Sequence, residues 1–241
     1  MQSSKARLMD RTLDVYVGWD SREPIAYEVA RRSLLEHATV RVRVIPIKLD
    51  DLISRGVYTR GVDPLASTEF TYSRFFTPWL ADFRGWALFC DCDFLFLADV
   101  AELLSYRDES KAVVCVKHDY TPKTTTKMDG KVQTAYPRKN WSSFMLFNCG
   151  HPSTRTLTPD LINRESGAYL HRMQWAKDEE IGEVPIAWNW LEGWNEKPQT
   201  GAPYAIHFTN GGPWFKDWQN VDYAELWRAE ADRIAPDWKP I

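Results

Sequence analysis

The segment WALFCDCDFLFLADV, residues 86–100, decides the fold because two aspartates interrupt an otherwise apolar run. Residues 86–90 are typical of a buried strand, and apolar residues resume immediately after Asp91 and Asp93. Side chains at positions i and i+2 of a strand face the same side, so the two carboxylates are expected to lie together. Burying both without a partner would be costly for each, so the pair predicts a bound divalent cation, and a pair of turn residues is the alternative.

The segments that precede this run place it in a parallel sheet. Residues 13–20 are β-rich, residues 21–38 carry a serine cap and an early proline before a helical pattern, and residues 40–47 alternate like a strand. A β-α-β order is typical of a parallel sheet covered by helices. Asp91 and Asp93 would then follow the carboxyl end of a parallel strand, where open α/β sheets bind ligands.

The remaining elements extend the same α/β pattern. Helices are predicted at 67–83, at 99–106 with Asp99 as its cap, around 158–175 and at 222–235, and strands at 111–120 and 141–148. Polar, basic residues 121–140 predict a loop or hairpin. Neither a repeat nor a linker divides the chain. We therefore expect a flexible N-terminus at 1–12 and a single domain at 13–241, with a mixed, mainly parallel central sheet flanked by helices.

Composition excludes several classes of protein. The 241 residues are 44% hydrophobic and 26% charged, the balance of an ordinary globular chain, and the net charge of -3 argues against nucleic-acid binding. No run approaches the roughly 18 apolar residues of a membrane span, and the N-terminus lacks the apolar middle of a secretory signal. A cytoplasmic location is the resulting expectation.

The four cysteines all lie in strand-like apolar runs, which predicts reduced core thiols: Cys90, Cys92, Cys115 and Cys149. Cys90, Cys92 and Cys115 could form a zinc site with His118. The chain has no C-x-x-C pair, so this alternative is disfavoured.

A second segment, AIHFTNGGPWF at residues 205–215, gives the aspartate pair a specific context. Together the two segments resemble GT-A glycosyltransferases, particularly family eight, in which a D-x-D and a later histidine hold the metal of a nucleotide-sugar. The later segment is similar to that family's His-Phe-x-Gly-x-x-Lys-Pro-Trp, which implies His207 as a third ligand beside Asp91 and Asp93. It is one residue shorter and lacks the lysine, for which Lys216 is a candidate replacement. Imidazole favours Mn²⁺, with Mg²⁺ as the alternative.

The resemblance spans residues 13–215 and implies a Rossmann-like GT-A fold and a metal-dependent glycosyltransferase of the hexosyltransferase type. Such an enzyme moves a sugar from a nucleotide-diphosphate donor, here a UDP-sugar, to an acceptor hydroxyl with retention of configuration. Residues 13–120 would form the nucleotide-binding half and residues 121–241 the acceptor-side half. The acceptor would be a carbohydrate or glycoconjugate, as in bacterial-type polysaccharide synthesis.

Four further residues occupy positions that resemble donor-binding positions of that family. Asp20, after the first strand, would meet the base and ribose, and Arg74 would contact phosphate or sugar. Gly211 and Gly212 would allow close approach of the backbone to the diphosphate. The alternatives are a turn aspartate, a surface ion pair of Arg74 with Glu69 or Asp82, and a plain glycine turn.

The end of the strand at 111–120 carries a second candidate group. Lys117 and His118 should point into the same cleft, and Asn140 and Trp141 are expected next to them. An indole can stack on a sugar, and an asparagine can bind its hydroxyls. Turn formation by the polar residues and core packing by Trp141 are the alternatives.

The segment WAKDEEIG at 175–182 is similar to the family's Asp-Gln-Asp segment, which implies that Asp178 and Glu179 lie near the reacting carbon. A carboxylate there could stabilise an oxocarbenium-like centre, act as a nucleophile or serve as a base. The alternative is a charged helix end.

Two other functions fit parts of the sequence. A nucleotide-sugar or carbohydrate-binding module could keep the fold without turnover. A haloacid-dehalogenase-type phosphatase is disfavoured, because its D-x-D sits on the first strand, whereas here a complete β-α-β unit precedes it. The C-terminal amphipathic helix either packs on the sheet or makes peripheral contact with a membrane. The sugar, the acceptor and the oligomeric state are left open.

Overall fold

Two sheets organise the fold in this computed structural model, which describes residues 12–64, 66–119, 138–198 and 200–241. The described strands are β1 (Thr12–Gly18), β2 (Arg41–Ile47), β3 (Trp86–Cys90), β4 (Phe94–Phe96), β5 (Val113–Cys115), β6 (Phe144–Asn148), β7 (Ile181–Glu183), β8 (Trp190–Leu191) and β9 (Ala205–His207). Six of them form a sheet in the order β2-β1-β3-β6-β5-β7, and the others form a small sheet in the order β4-β9-β8.

The large sheet confirms the predicted mixed, mainly parallel architecture. Only β6 runs antiparallel to its neighbours, β3 and β5, and the other neighbouring pairs are parallel. Its central strands β1 and β3 are apolar along almost their whole length and mostly buried, as expected for strands covered on both faces. The carboxyl ends of β1, β3 and β5 therefore share one edge of the sheet.

The described α-helices are mostly short: α1 (Pro24–His37), α2 (Leu49–Ser54), α3 (Thr77–Leu80), α4 (Pro159–Arg164), α5 (Gly167–His171) and α6 (Ala224–Ile234). α1 begins with a proline, which is tolerated there because N–H groups in the first turn of a helix have no acceptor within the helix. α6 packs against α1, with Arg32 Nε 3.0 Å from Glu230 Oε2. An aromatic cluster that includes Trp214 and Trp227 fills the space beneath the small sheet.

The prediction of one helix over 67–83 is wrong. The segment forms a 3₁₀ turn at Ser73–Phe76 followed by the four-residue helix α3, which has Pro78 in its first turn. Asp82 and Phe83 then adopt positive φ angles of 60° and 53°, which end the helix. The predicted helix at 99–106 is likewise a 3₁₀ helix, Val100–Tyr106, although Asp99 caps it as expected.

Other expectations concern single features of the chain. The four cysteines are buried and unpaired, as predicted. Among the described residues, none of the helices combines the length and apolar character needed to cross a membrane. The N-terminal segment through residue 11 and the predicted loop or hairpin through residue 137 lie outside the described residues.

Candidate metal centre and donor site

The two aspartates lie in a turn that joins the two sheets. β3 ends at Cys90, and Asp91, Cys92 and Asp93 connect it to β4, so the aspartates follow the strand rather than continuing it. The Asp91 N–H donates to Ser143 O at 3.0 Å, and Asp93 O accepts from Phe208 N–H at 3.0 Å. Backbone hydrogen bonds therefore hold this turn at both of its ends.

His207 reaches the same point from the small sheet. It is the last residue of β9 and pairs with Phe94 of β4, whose ring stacks on the imidazole with centroids 4.6 Å apart. His207 Nε2 lies 3.3 Å from Asp93 Oδ1. One ligand atom from each of Asp91, Asp93 and His207 lies within 4.8 Å of the others. The prediction that this imidazole meets the two acids is confirmed.

The charges of the group fit a cation. Burial, opposed by the charge of Arg74 and assisted by the neighbouring Asp93, raises the pKa of Asp91 to about 7. Asp91 Oδ1 and Asp93 Oδ1 are buried without a hydrogen-bond partner among the described residues. Buried carboxylate oxygens without partners are costly, so these residues suit a divalent metal ion.

Arg74 supports this centre from behind. Its side chain is buried, and Nη1 lies 2.8 Å from Asp91 Oδ1, although poorly aligned for a hydrogen bond. The guanidinium also donates to the carbonyls of Ser142 at 2.9 Å and Phe70 at 3.3 Å. The ion partner of Arg74 is thus Asp91 itself, and the donor contact stays a prediction.

Asp20 is fully buried, and its carboxylate holds the loop after β1. It accepts hydrogen bonds from the backbone and guanidinium of Arg22 and from the backbone N–H of Glu69. Burial alone would raise the pKa of Asp20, but these hydrogen bonds lower it overall. This arrangement corresponds to the turn alternative, and contact with a base or ribose stays a prediction.

Glu23 is an acidic residue of this region that sequence reasoning missed. It occupies the N-cap position of α1, where a serine cap was predicted, but its side chain makes no capping hydrogen bond and instead accepts one from Trp214 Nε1 at 2.9 Å. Burial raises the pKa of Glu23 to about 8, and the charges of Asp93 and Asp20 add to this effect. The only signal was its position directly after β1, where side chains face the ligand edge of the sheet.

His118 lies close to the metal group at the end of β5. The ring is buried, Nε2 has no hydrogen-bond partner among the described residues, and burial together with His207 lowers the pKa of His118 to about 3. Its carbonyl accepts from Trp141 Nε1 at 3.1 Å. Lys117 Nζ and the Arg138 guanidinium carbon lie 5.7 and 5.2 Å from the Trp141 ring centroid. The structure therefore brings Lys117, His118 and Trp141 together, as expected.

The two glycines are required by tryptophan packing. A Cβ on Gly212 would lie 2.0 Å from the Trp214 ring. Gly211 has a φ of +132°, and a Cβ there would lie 2.9 Å from Trp218 Nε1. Packing thus accounts for both, and their contact with a diphosphate stays a prediction.

Asp178 and Glu179 are exposed and form the 3₁₀ turn that precedes β7. Asp178 pairs with Arg138. The pair lies at the amino end of β7, whereas His118 follows the carboxyl end of the parallel strand β5. Glu183, which sequence reasoning missed, is exposed at the carboxyl end of β7. The catalytic role of Asp178 and Glu179 stays a prediction.

Comparisons with known proteins give one close relative. No family model matches the chain. Protein CDI of Arabidopsis thaliana is 52% identical over 221 residues, which cover 90% of this chain and 85% of that protein.

Solved structures give more distant similarities, each covering 92% of this chain. WbbM, a bifunctional glycosyltransferase, has a TM-score of 0.65 at 17% identity. GlyE, a glycosyltransferase of Streptococcus pneumoniae TIGR4, has a TM-score of 0.61 at 15% identity. The galactosyltransferase LgtC, solved with donor and acceptor sugar analogs, has a TM-score of 0.54 at 13% identity. The chain spans 50% of WbbM, 60% of GlyE and 96% of LgtC. These similarities confirm the predicted GT-A fold.

Proposed function

Since the chain belongs to the family of the Arabidopsis thaliana Protein CDI and has a GT-A fold, we propose that it is a metal-dependent glycosyltransferase. It would move a sugar from a nucleotide-diphosphate donor, a UDP-sugar, to a hydroxyl of a carbohydrate or glycoconjugate acceptor, with retention of configuration. The observation that carries this proposal is the convergence of Asp91, Asp93 and His207, with Asp93 Oδ1 buried and without a hydrogen-bond partner among the described residues.

Asp91, Asp93 and His207 would hold the metal ion. The mixed oxygen and imidazole donor set favours Mn²⁺ over Mg²⁺. When bound, such an ion supplies the positive charge that stabilises a leaving diphosphate. The turn after β3 fixes both carboxylates through backbone hydrogen bonds, and Phe94 fixes the plane of the imidazole.

The residues at the end of β5 would contact the donor and acceptor sugars. Because the pKa of His118 is about 3, its ring is neutral at pH 7 and can bind a hydroxyl or phosphate oxygen without adding charge. Lys117 would supply positive charge beside it. Trp141 presents a half-buried indole, and the Asn140 side chain could bind sugar hydroxyls.

The test is release of UDP from a panel of UDP-sugars, with Mn²⁺ and with EDTA. We expect release that depends on metal, and we expect Asp93→Asn to lower the rate by about 100-fold or more, as for loss of one preorganised electrostatic group. Asp50→Asn, an exposed carboxylate of α2, is the matched control and should keep the wild-type rate. Nuclear magnetic resonance of the product anomer tests retention.

Other results would support a different function. Binding of UDP with Mn²⁺ but no release across the panel would indicate a nucleotide-sugar-binding module. Release of phosphate from phosphomonoesters would indicate a phosphatase. Comparing Asp178→Asn and Glu179→Gln with Glu183→Gln decides which end of β7 serves the reaction, because a catalytic carboxylate lowers kcat when it is neutralised.

A further inference from the structure

Asn189 contacts the side of His207 that faces away from the two aspartates. It is fully buried at the end of the 3₁₀ turn Ile186–Asn189, immediately before β8. Its Oδ1 lies 2.9 Å from His207 Nδ1, while His207 Nε2 lies 3.3 Å from Asp93 Oδ1. The two ring nitrogens therefore have different neighbours, an amide on one side and the metal group on the other.

A backbone carbonyl fixes which way the Asn189 amide points. Asn140 O can only accept, and it receives the Ser143 hydroxyl at 2.7 Å and Asn189 Nδ2 at 3.3 Å. Since the Ser143 hydrogen is used there, Ser143 Oγ accepts from Asn189 Nδ2 at 2.9 Å. The amide nitrogen is thus committed to this side, and the amide oxygen must face His207.

We infer that Asn189 is a positioning residue that holds His207 in the tautomer with hydrogen on Nδ1. An amide oxygen can only accept, so the hydrogen of this contact belongs to Nδ1, and Nε2 keeps its lone pair. On the other side of the ring, Nε2 lies 3.3 Å from Asp93 Oδ1, which has no hydrogen-bond partner among the described residues. Two acceptors this close repel each other unless a cation lies near both.

The consequence for metal binding rests on the proposed function. A metal-ligating histidine usually donates its other N–H to a fixed acceptor, which orients the ring and makes the ligating nitrogen more basic. Asn189 supplies such an acceptor, and a backbone carbonyl supports it through Ser143. The buried chain from Asn140 to His207 would prepare the imidazole as a ligand before metal binds.

The tautomer is tested without metal. Protein labelled with ¹⁵N at histidine gives long-range ¹H–¹⁵N spectra that separate Nδ1–H from Nε2–H, and a His207→Asn variant identifies the signal of interest among the five histidines. At pH 8 we expect hydrogen on Nδ1 alone. Hydrogen on Nε2, alone or together with Nδ1, overturns the inference.

Variants test the consequence through Mn²⁺ affinity, measured by the electron paramagnetic resonance of the free ion. We expect Asn189→Leu to weaken binding by about 10- to 100-fold. Asn189→Asp keeps an acceptor for Nδ1–H and should restore most of the affinity. Ser143→Ala leaves Asn140 O as partner for Nδ2 and should therefore weaken binding less than Asn189→Leu. Asn220→Leu, the same substitution at an exposed position, is the control and should keep the wild-type affinity.

The outcomes separate the two claims. Equal Mn²⁺ affinity in Asn189→Leu and wild type overturns the positioning role. If wild type does not bind Mn²⁺, the metal dependence of the proposed function fails, while the spectrum of wild type still decides the tautomer. If a thermal melt shows that Asn189→Leu is not folded, the ¹H–¹⁵N spectrum of wild type still decides the tautomer. The Mn²⁺ affinity of Asn189→Asp then decides the positioning role, and a large loss of affinity in that variant overturns it.

Discussion

The candidate metal centre has two sides, and they are held by different chemistry. On the large-sheet side a buried guanidinium, Arg74, faces Asp91. On the small-sheet side a neutral amide, Asn189, faces His207. A carboxylate needs a counter-charge even before a metal ion binds, whereas an imidazole needs only the correct tautomer. The large-sheet side therefore depends on charge, and the small-sheet side depends on hydrogen-bond direction and shape.

The largest expected effect is on the charged side. Replacing Arg74 with methionine removes the counter-charge of Asp91 and the side-chain donor to the carbonyls of Ser142 and Phe70, which together we expect to lower the free energy of unfolding by about 3–5 kcal/mol. Mn²⁺ should raise the melting temperature of Arg74→Met more than that of wild type, because the ion replaces the missing charge. Urea unfolding and thermal melts with and without Mn²⁺ measure both.

Arg43 provides the matched control for that prediction. It forms a hydrogen-bonded ion pair with Asp14 across β1 and β2, but its side chain is 65% exposed. Arg43→Met should cost less than about 1 kcal/mol, since exposed ion pairs contribute little. Similar losses of unfolding free energy in Arg74→Met and Arg43→Met would show that burial does not strengthen the ion pair between Arg74 and Asp91.

A smaller effect is expected from shape on the other side. A Cβ at Gly212 would lie 2.0 Å from the ring of Trp214, which packs edge to face on Phe208, the neighbour of His207. Gly212→Ala should lower the free energy of unfolding by about 1–3 kcal/mol through overpacking. Gly61→Ala has no atom within 4 Å of its new Cβ and should have little effect. An unchanged midpoint of urea unfolding in Gly212→Ala would contradict this.

The effect that is smallest at neutral pH is a pH dependence behind Arg74. His171 Nδ1 lies 2.7 Å from Ser142 Oγ, and burial together with the Arg74 charge lowers the pKa of His171 to about 3. Below pH 6.5 the unfolded chain binds a proton that the folded chain does not, so stability is present above pH 6.5 and falls as the pH drops towards 3. His171 should contribute about 1.4 kcal/mol of loss per pH unit in this range.

The His171→Gln variant isolates that contribution. It can keep a hydrogen bond to Ser142 but does not titrate, so its free energy of unfolding should fall less steeply between pH 6 and pH 4. Urea unfolding at several pH values in that range compares the two slopes. Parallel slopes for wild type and variant would mean that His171 is protonated in the folded protein.

Local patterns predicted the ligand atoms but not their supports. The apolar flanks of Asp91 and Asp93, and the resemblance around His207, were sufficient to expect one centre. Asn189 stands in an aromatic run, Trp188 to Trp190, where nothing in the neighbouring letters distinguishes it from core packing. Glu23 stands directly before Pro24, a sequence that is typical of an ordinary helix start. Both acquire a role only from partners distant in sequence.

The broken helix at 67–83 shows the same limit. Its periodicity favoured one helix, but the burial of Arg74 against Asp91 and the positive φ angles at Asp82 and Phe83 belong to a compact turn-rich segment. Tertiary contacts override helix propensity when they satisfy a buried charge. A local pattern does not contain that information.

Residue patterns were sufficient to predict the α/β class, the strand that ends at the aspartate pair and, with the resemblance around His207, the side chains that would supply the ligand atoms. These depend on residue type and spacing, which act over a few neighbouring residues. Only the tertiary structure decided that Arg74 balances Asp91 and that Asn189 orients His207. Those contacts form where β3 pairs with β6 and β8 pairs with β9, and buried polar groups must find partners wherever folding brings them.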